Sequence, residues 1–374
     1  MKAMILMLEK DKNSIVPWFV AFPRSTEILM NEKLDVSKFS TDFSSILHYS
    51  TKYANEDVCK LLLSSSGPYK LDPNLRNEKG QTPLHYAIQF DHFEIAYLLI
   101  LHGANVNSED ICGDTPLHLA ANLSLQMMAG LLISHGANLN AKNKKGKTPL
   151  HYCARVGNIN TAELLISHGV DINVKYYKNK TALHTSSKHD QFKIAQLLVE
   201  HGIELNALDI HKENALHYAI YSGTSIDELL ITSGINIMAA NEEGQTPLHF
   251  ELIFDGGSLE LILDRLKSED INVKDKIGKT SLHYSIDNGN KLYTSLLISK
   301  GADVNAQDNK GLTCLHNAAQ GNQIDDIEML LSVGADINAK AIYGETCLDI
   351  AMKQNFNELA ELLISRGVNS STYE

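Results

Sequence analysis

The chain of 374 residues has no apolar run that could cross a bilayer. Its longest early stretch, Ala3 to Leu8, is shorter than a signal-peptide core, and nothing later approaches the ~20 residues a spanning helix needs. Cysteine is sparse: Cys59, Cys112, Cys153, Cys314 and Cys347 are odd in number, widely spaced and without a CxxC pair. That pattern fits reduced thiols better than a disulfide framework. Positive charge is also short, with 33 Lys and Arg against 45 Asp and Glu, and the net charge of -12 argues against wholesale binding to nucleic acid or an anionic membrane. No GxSxG, HExxH, P-loop or Rossmann glycine pattern occurs, so nothing nominates a nucleophile or a cofactor cradle. What is present is a 44% apolar, 21% charged composition with only 23 glycines and 8 prolines, which can bury a core. These absences lead us to expect a cytoplasmic, soluble, monomeric protein without membrane insertion, cofactor, metal or enzymatic activity.

An internal repeat accounts for the length. "TPLH" stands at Thr82, Thr115, Thr148 and Thr246, with "TALH" at Thr181, "NALH" at Asn214, "TSLH" at Thr280, "TCLH" at Thr313 and "TCLD" at Thr346. Successive sites are 33 residues apart, except for one spacing of 32 and one of 34 around Thr246. Apolar stretches such as "AELLIS" recur between them, each followed by a glycine, as in "HGANVN", "HGVDIN" and "KGADVN". A period this regular marks an array in which each unit contacts only its neighbours. With "GxTPLHxA" and "LLxxGAxxN" recurring over residues 44 to 374, the chain closely resembles the ankyrin repeat family.

The residues support the same architecture on physical grounds. Thr can cap a helix by accepting an orphan backbone N–H, and the following Pro has its φ already set for the first turn. The "TAELLIS" type of run supplies a second helix, which the Gly of "HG" can end in the left-handed C′ conformation. Such short helices are marginal alone, so stability must come from stacking. The expected fold is an all-α solenoid of about ten helix-turn-helix units. Between units, Asn, Asp and Gly fall at turn positions, and the resemblance implies β-hairpin fingers there. Residues 44–374 form the expected array, irregular around 214–280. Residues 1–43 read as a degenerate N-terminal capping repeat, in which "TEILMNEKLDVS" aligns with "AELLISHGVDIN". Trp18, Phe19 and Phe22 there have two readings, cap packing or an exposed apolar site for a partner.

Sixteen histidines invite a metal hypothesis, but register argues against it. His48, His85, His118, His151, His184, His217, His249, His283 and His316 occupy the motif position, and His102, His135, His168 and His201 precede the helix-ending residue. Helix layers stack at roughly 8 to 10 Å, whereas ligands of one zinc each approach to about 2.1 Å. Equivalent histidines therefore form ladders, not clusters, and the resemblance implies that the motif His satisfies local hydrogen bonds. Cys314 and Cys347 are likewise one repeat apart, beyond the ~7 Å Cα limit for a disulfide.

Two departures from the repeat stand out. Between residues 142 and 180, Lys142, Lys144, Lys145, Lys147, Arg155, Lys175, Lys178 and Lys180 face only Glu163 and Asp171, so this window is +6 in a chain of -12. Turn lysines are often merely solvated. Seven of these cations nevertheless lie on two successive fingers beside Tyr176 and Tyr177, and a solenoid brings equivalent finger positions to one edge. Lys142, Lys144, Lys145, Lys147, Tyr176, Tyr177, Lys178 and Lys180 are thus the candidate site for a protein partner carrying an acidic segment. The second departure is Glu251, where other units carry Ala, Ser or Cys. A carboxylate there is costly unless it finds a partner, and we expect local repacking. The resemblance implies a protein-interaction module or scaffold using its concave inner-helix and finger surface. The alternative is a regulatory subunit or effector-type adaptor whose array targets an activity carried by a partner.

Overall fold

The computed structural model describes residues 19–22, 24–32, 40–41, 44–65 and 69–368. Their regular structure is helical apart from one antiparallel pair of two-residue strands, Ser40–Thr41 and Ser44–Ser45, and one isolated β-bridge. Every expected capping residue from Thr82 to Thr346 starts a helix at the very next position, from Pro83, Pro116, Pro149, Ala182, Ala215, Pro247, Ser281, Cys314 and Cys347. Thr82 itself is extended, with φ -96° and ψ 167°, as a residue just outside a helix should be. Second helices follow at close range. Ile159–Ser167 begins after Asn158, whose side chain accepts from the Thr161 N–H at 3.1 Å. It ends at Gly169 with φ +80°, the left-handed conformation read for the "HG" glycine.

The chain divides into two compact units, one of residues 1–186 with 193–203, the other of 187–192 with 204–374. In the first unit the inner helices Ile46–Lys52, Pro83–Gln89, Pro116–Asn122 and Pro149–Val156 pack side by side. In the second, Ala215–Ser222, Pro247–Phe254, Ser281–Asp287, Cys314–Gln320 and Cys347–Lys353 do the same. Their Leu positions, including Leu84, Leu117, Leu150, Leu216 and Leu282, are buried in the stack, each contributing about 1.5–3 kcal/mol. Toward the N-terminus, the helix Ser25–Glu32 carries buried Ile28 and Leu29. Phe19 is buried while Phe22 is exposed, and Trp18 lies outside the described residues.

Most motif histidines both cap and connect, whereas the buried Nε2 of His151 has no hydrogen-bond partner among the described residues. In the first unit, His85 Nδ1 accepts the Thr82 N–H at 3.1 Å, and its Nε2 lies 3.2 Å from the Asp114 carbonyl of the next unit. His48 and His118 repeat this with the Gln81 and Lys147 carbonyls at 3.0 and 2.9 Å. Because Nδ1 accepts, the ring proton belongs on Nε2, where it donates to the neighbour. His249, His283 and His316 form the same ladder in the second unit. The hydroxyls of Thr82, Thr115 and Thr148 lie 2.9, 2.9 and 2.8 Å from the histidine Nδ1 of their own turn. Asn214, by contrast, accepts from the Leu216 and His217 amides as capping logic expects.

Glu251 resolves the irregularity of the second unit. Its carboxylate is fully buried and accepts from the Gly257 N–H at 2.7 Å, the Ser258 N–H at 2.9 Å and the Ser258 hydroxyl at 3.0 Å. It therefore satisfies the start of the helix Leu259–Leu263, which begins two residues later in its repeat than Ile159–Ser167 does and is only 5 residues long. Gly256 makes room: a Cβ there would lie 2.8 Å from the Glu251 carboxylate and 2.9 Å from the Ile220 side chain. Burial still pushes the Glu251 carboxyl above its ordinary range, against the three hydrogen bonds, with Asp227 adding to the rise.

Candidate protein-interaction surface

Within the first unit the connectors between repeats are tight turns, and successive turns from 77–81 to 176–180 bond through their backbones. Ile111 N–H donates to the Lys79 carbonyl at 2.9 Å, Lys144 N–H to Cys112 at 2.9 Å and Tyr177 N–H to Lys145 at 3.0 Å. Close approach requires glycine, since a Cβ on Gly113 would meet the Lys144 nitrogen at 2.9 Å. Asn143 closes the third finger by accepting from the Lys145 and Lys147 amides, both at 3.0 Å. In the fourth, the same span is closed by a β-bridge between Tyr176 and Lys180. The candidate residues are thereby brought together on neighbouring tips: Lys144 and Lys145 on one, Tyr176, Tyr177, Lys178 and Lys180 on the next. Lys142 stands exposed at the start of the first of these two turns.

Lys147 occupies the centre of this cluster. Its Nζ is 5.2 Å from the Tyr176 ring centroid and 5.7 Å from that of Tyr152, an arrangement favourable for a cation between two π-faces. Arg155 stacks over the same Tyr152 ring at 5.1 Å and hydrogen-bonds Asn122. Partial burial holds the Lys147 amine below its usual range, and Arg155 and Lys145 lower it further. Asp114 is the nearby acid, but its oxygens are engaged by the Tyr152 hydroxyl at 2.9 and 3.0 Å and by Asn143 Nδ2 at 2.8 Å. Among the described residues, Lys142, Lys144, Lys145 and Lys147 make no ion pair, whereas Lys60, Lys279, Lys300 and Lys353 each pair with an acid at 2.5 to 3.3 Å.

The two tyrosines divide their roles. Tyr176 is half-buried, edge-on to His151 with ring centroids 4.7 Å apart, and its hydroxyl accepts from Thr185 at 3.2 Å. Burial raises its pKa. Tyr177 is 65% exposed with Lys178 Nζ 5.9 Å from its ring centre, so it is the one that offers area to a partner. Tyr152, Arg155 and Asp114 complete the cluster from the inner helix and the preceding finger. The signal for Tyr152 lay in the aromatic recurring four residues after the capping residue, as at Tyr86, Tyr218 and Tyr284.

Among the described residues no group of three or more His, Cys, Asp or Glu could hold a metal. The cysteines are free, with Cys112 exposed and the rest buried, and burial pushes the Cys59 and Cys153 thiols up to about 12. No helix among the described residues is long and apolar enough to cross a membrane.

A family model for ankyrin repeats (3 copies) matches residues 9–110, 104–176, 131–209, 175–241, 251–341 and 308–373. The chain is 41% identical over 64 residues to a transient receptor potential cation channel subfamily A member 1 homolog of Caenorhabditis elegans, covering 17% of this chain and 5% of the relative. It is 39% identical over 67 residues to a probable E3 ubiquitin-protein ligase XBOS32 of Oryza sativa subsp. japonica, covering 18% of this chain and 13% of the relative. The chain thus spans only a small part of the length of either relative. With matches that run through both units and a helix at every motif position, the chain belongs to the ankyrin repeat family.

Proposed function

We propose that the chain is a protein-interaction scaffold that binds an acidic segment of a partner protein through the basic fingers of residues 142–147 and 175–180. Ankyrin repeats are protein-interaction modules, and the observation that carries the finer reading is the concentration of lysines without an ion pair around Lys147. Among the described residues, Lys60, Lys279, Lys291, Lys300 and Lys353 pair with acids, while Lys142, Lys144, Lys145 and Lys147, concentrated on one finger, do not. Such a patch in an acidic chain steers an oppositely charged partner and sets its orientation. Exposed ion pairs contribute only ~0.2–1 kcal/mol each, so the lysines act together. Tyr177 adds buried area on contact. The adaptor reading draws support from the two relatives, in each of which the matched stretch is a small part of a longer protein, one named a channel and the other a probable ligase.

The test is a pull-down followed by binding measurements on the recovered partner. Changing Lys144, Lys145, Lys178 and Lys180 together to Glu should abolish binding while the helical circular dichroism stays unchanged, and parental binding should weaken as salt rises. If the quadruple variant binds as tightly as the parent at low salt, the patch is solvated surface and this reading fails.

A further inference from the structure

The first unit carries a second surface feature that repeat architecture does not demand. Eight residues after the capping residue, its inner helices end in Tyr53, Phe90, Leu123 and Val156, which are 43%, 37%, 42% and 38% exposed. The equivalent residues of the second unit are His189, Ser222, Phe254, Asn288, Gly321 and Gln354. Framework positions recur in both units, as the Leu two residues after each cap does, so four successive apolar side chains in one unit are not needed to build a repeat. They form a row one side chain wide along the side-by-side inner helices.

The ends of the row are cationic. Lys52 Nζ lies 5.6 Å from the Tyr53 ring centre and 5.8 Å from that of Phe90. Arg155, stacked on Tyr152 beside Lys147, stands at the other end. Among the described residues neither Lys52 nor Arg155 has an acidic partner. Asp91 is the one acid among Ala54, Asp91, Ser124 and Gly157, the residues that directly follow the row.

Pitch selects the occupant. Helices packed side by side are roughly 8–10 Å apart, so the row offers one apolar contact per ~9 Å. A polyproline II segment has three residues per turn and a rise of ~3.1 Å, which brings the same face round every ~9.3 Å. A partner helix repeats its face every ~5.4 Å and meets the row only at alternate turns, and a β-strand puts every third residue on the opposite face. Polyproline II also needs no backbone pairing, and the row provides no strand edge. Building on the reading that this array binds a protein segment, we infer that the row of the first unit seats a polyproline II stretch of about ten residues, with apolar side chains at every third position and acidic residues flanking both ends.

The probe is a fluorescein-labelled synthetic peptide with leucine at every third position, proline between, and two glutamates at each end, read by fluorescence anisotropy against the full chain. A control peptide of the same composition moves the leucines to every second position. The parent should bind the probe more than about tenfold tighter than the control, and Leu123→Asp should weaken probe binding by more than about tenfold. Leu123 lies half-exposed at a helix end, so its variant should keep the parental circular dichroism; Phe90→Ser provides a second site if it does not. A probe bound no tighter than the control, bound by neither protein, or bound equally by folded Leu123→Asp or Phe90→Ser overturns the inference. The finger reading is judged separately: a recovered partner lost by the quadruple lysine variant but unaffected by Leu123→Asp removes this inference and leaves that one standing.

Discussion

Acid should unfold this protein through its buried histidines. His48 and His151 are buried in the stack, and desolvation lowers their pKa values from 6.5 to about 4 and about 3. An unfolded chain restores the ordinary value of about 6.5, so between that value and the folded one the unfolded state holds the extra protons. Stability is therefore fully present above pH 6.5 and declines as pH falls through this window. At pH 5 an unfolded histidine is almost fully protonated and each of these two is not, which costs about 2 kcal/mol apiece. Burial lowers His85, His118, His249, His283 and His316 in the same direction. Glu251 and Asp326, whose pKa values are raised, change in the opposite sense and offset a part. A loss above about 4 kcal/mol is large against the 5–15 kcal/mol typical of a folded domain. Urea titrations followed by circular dichroism at pH 7.5, 6.5, 5.5 and 5.0 should show midpoints falling steadily, and His151→Gln should flatten the slope by up to ~1.4 kcal/mol per pH unit. Equal stability at pH 7.5 and 5.0 would refute the reasoning.

Three further outcomes follow from named contacts. Glu251→Ala should destabilise the second unit by about 2–3 kcal/mol in urea, because the Gly257 and Ser258 amides lose their charged acceptor; an unchanged midpoint would mean water replaces it. Residues 255–280, with their short helix and lengthened loop, should exchange amide hydrogens faster than residues 115–170, and equal protection would show that the Glu251 cap fully restores the stack. Tyr177→Ala should weaken partner binding more than any single lysine change while leaving thermal stability alone, whereas Tyr176→Ala should lower the melting temperature through its contacts with His151 and Thr185.

Much of the fold was legible because each repeat restates the same local rules. Thr-Pro starts a helix, an apolar run with "HG" continues and ends the second, and nothing in either depends on distant residues. The register of the candidate site was legible for the same reason: equal spacing puts Lys144 and Lys145 beside Tyr177. What escaped reading depends on side-chain reach across repeats. The partners of Glu251 are the amides of its own lengthened loop, visible only once the Gly256–Gly257 turn folds back. The hydrogen bonds from Tyr152 to Asp114 span 38 residues of sequence, and they engage the acid nearest Lys147 without an ion pair forming between the two. The separate behaviour of Tyr176 and Tyr177 depends on which ring faces His151, a matter of backbone geometry at Lys178 and Asn179, both at positive φ.

The central claim is that partner binding uses the inner and finger face, and a hydrogen-exchange footprint of the full chain with its captured partner tests it most directly. Protection gained in fingers 142–147 and 175–180 and at the ends of the inner helices, with no gain in the outer helices Phe93–Leu101, Gln126–Ser134 and Ile159–Ser167, is the expected result. Protection concentrated on those outer helices, with both fingers exchanging as in the free protein, would contradict it.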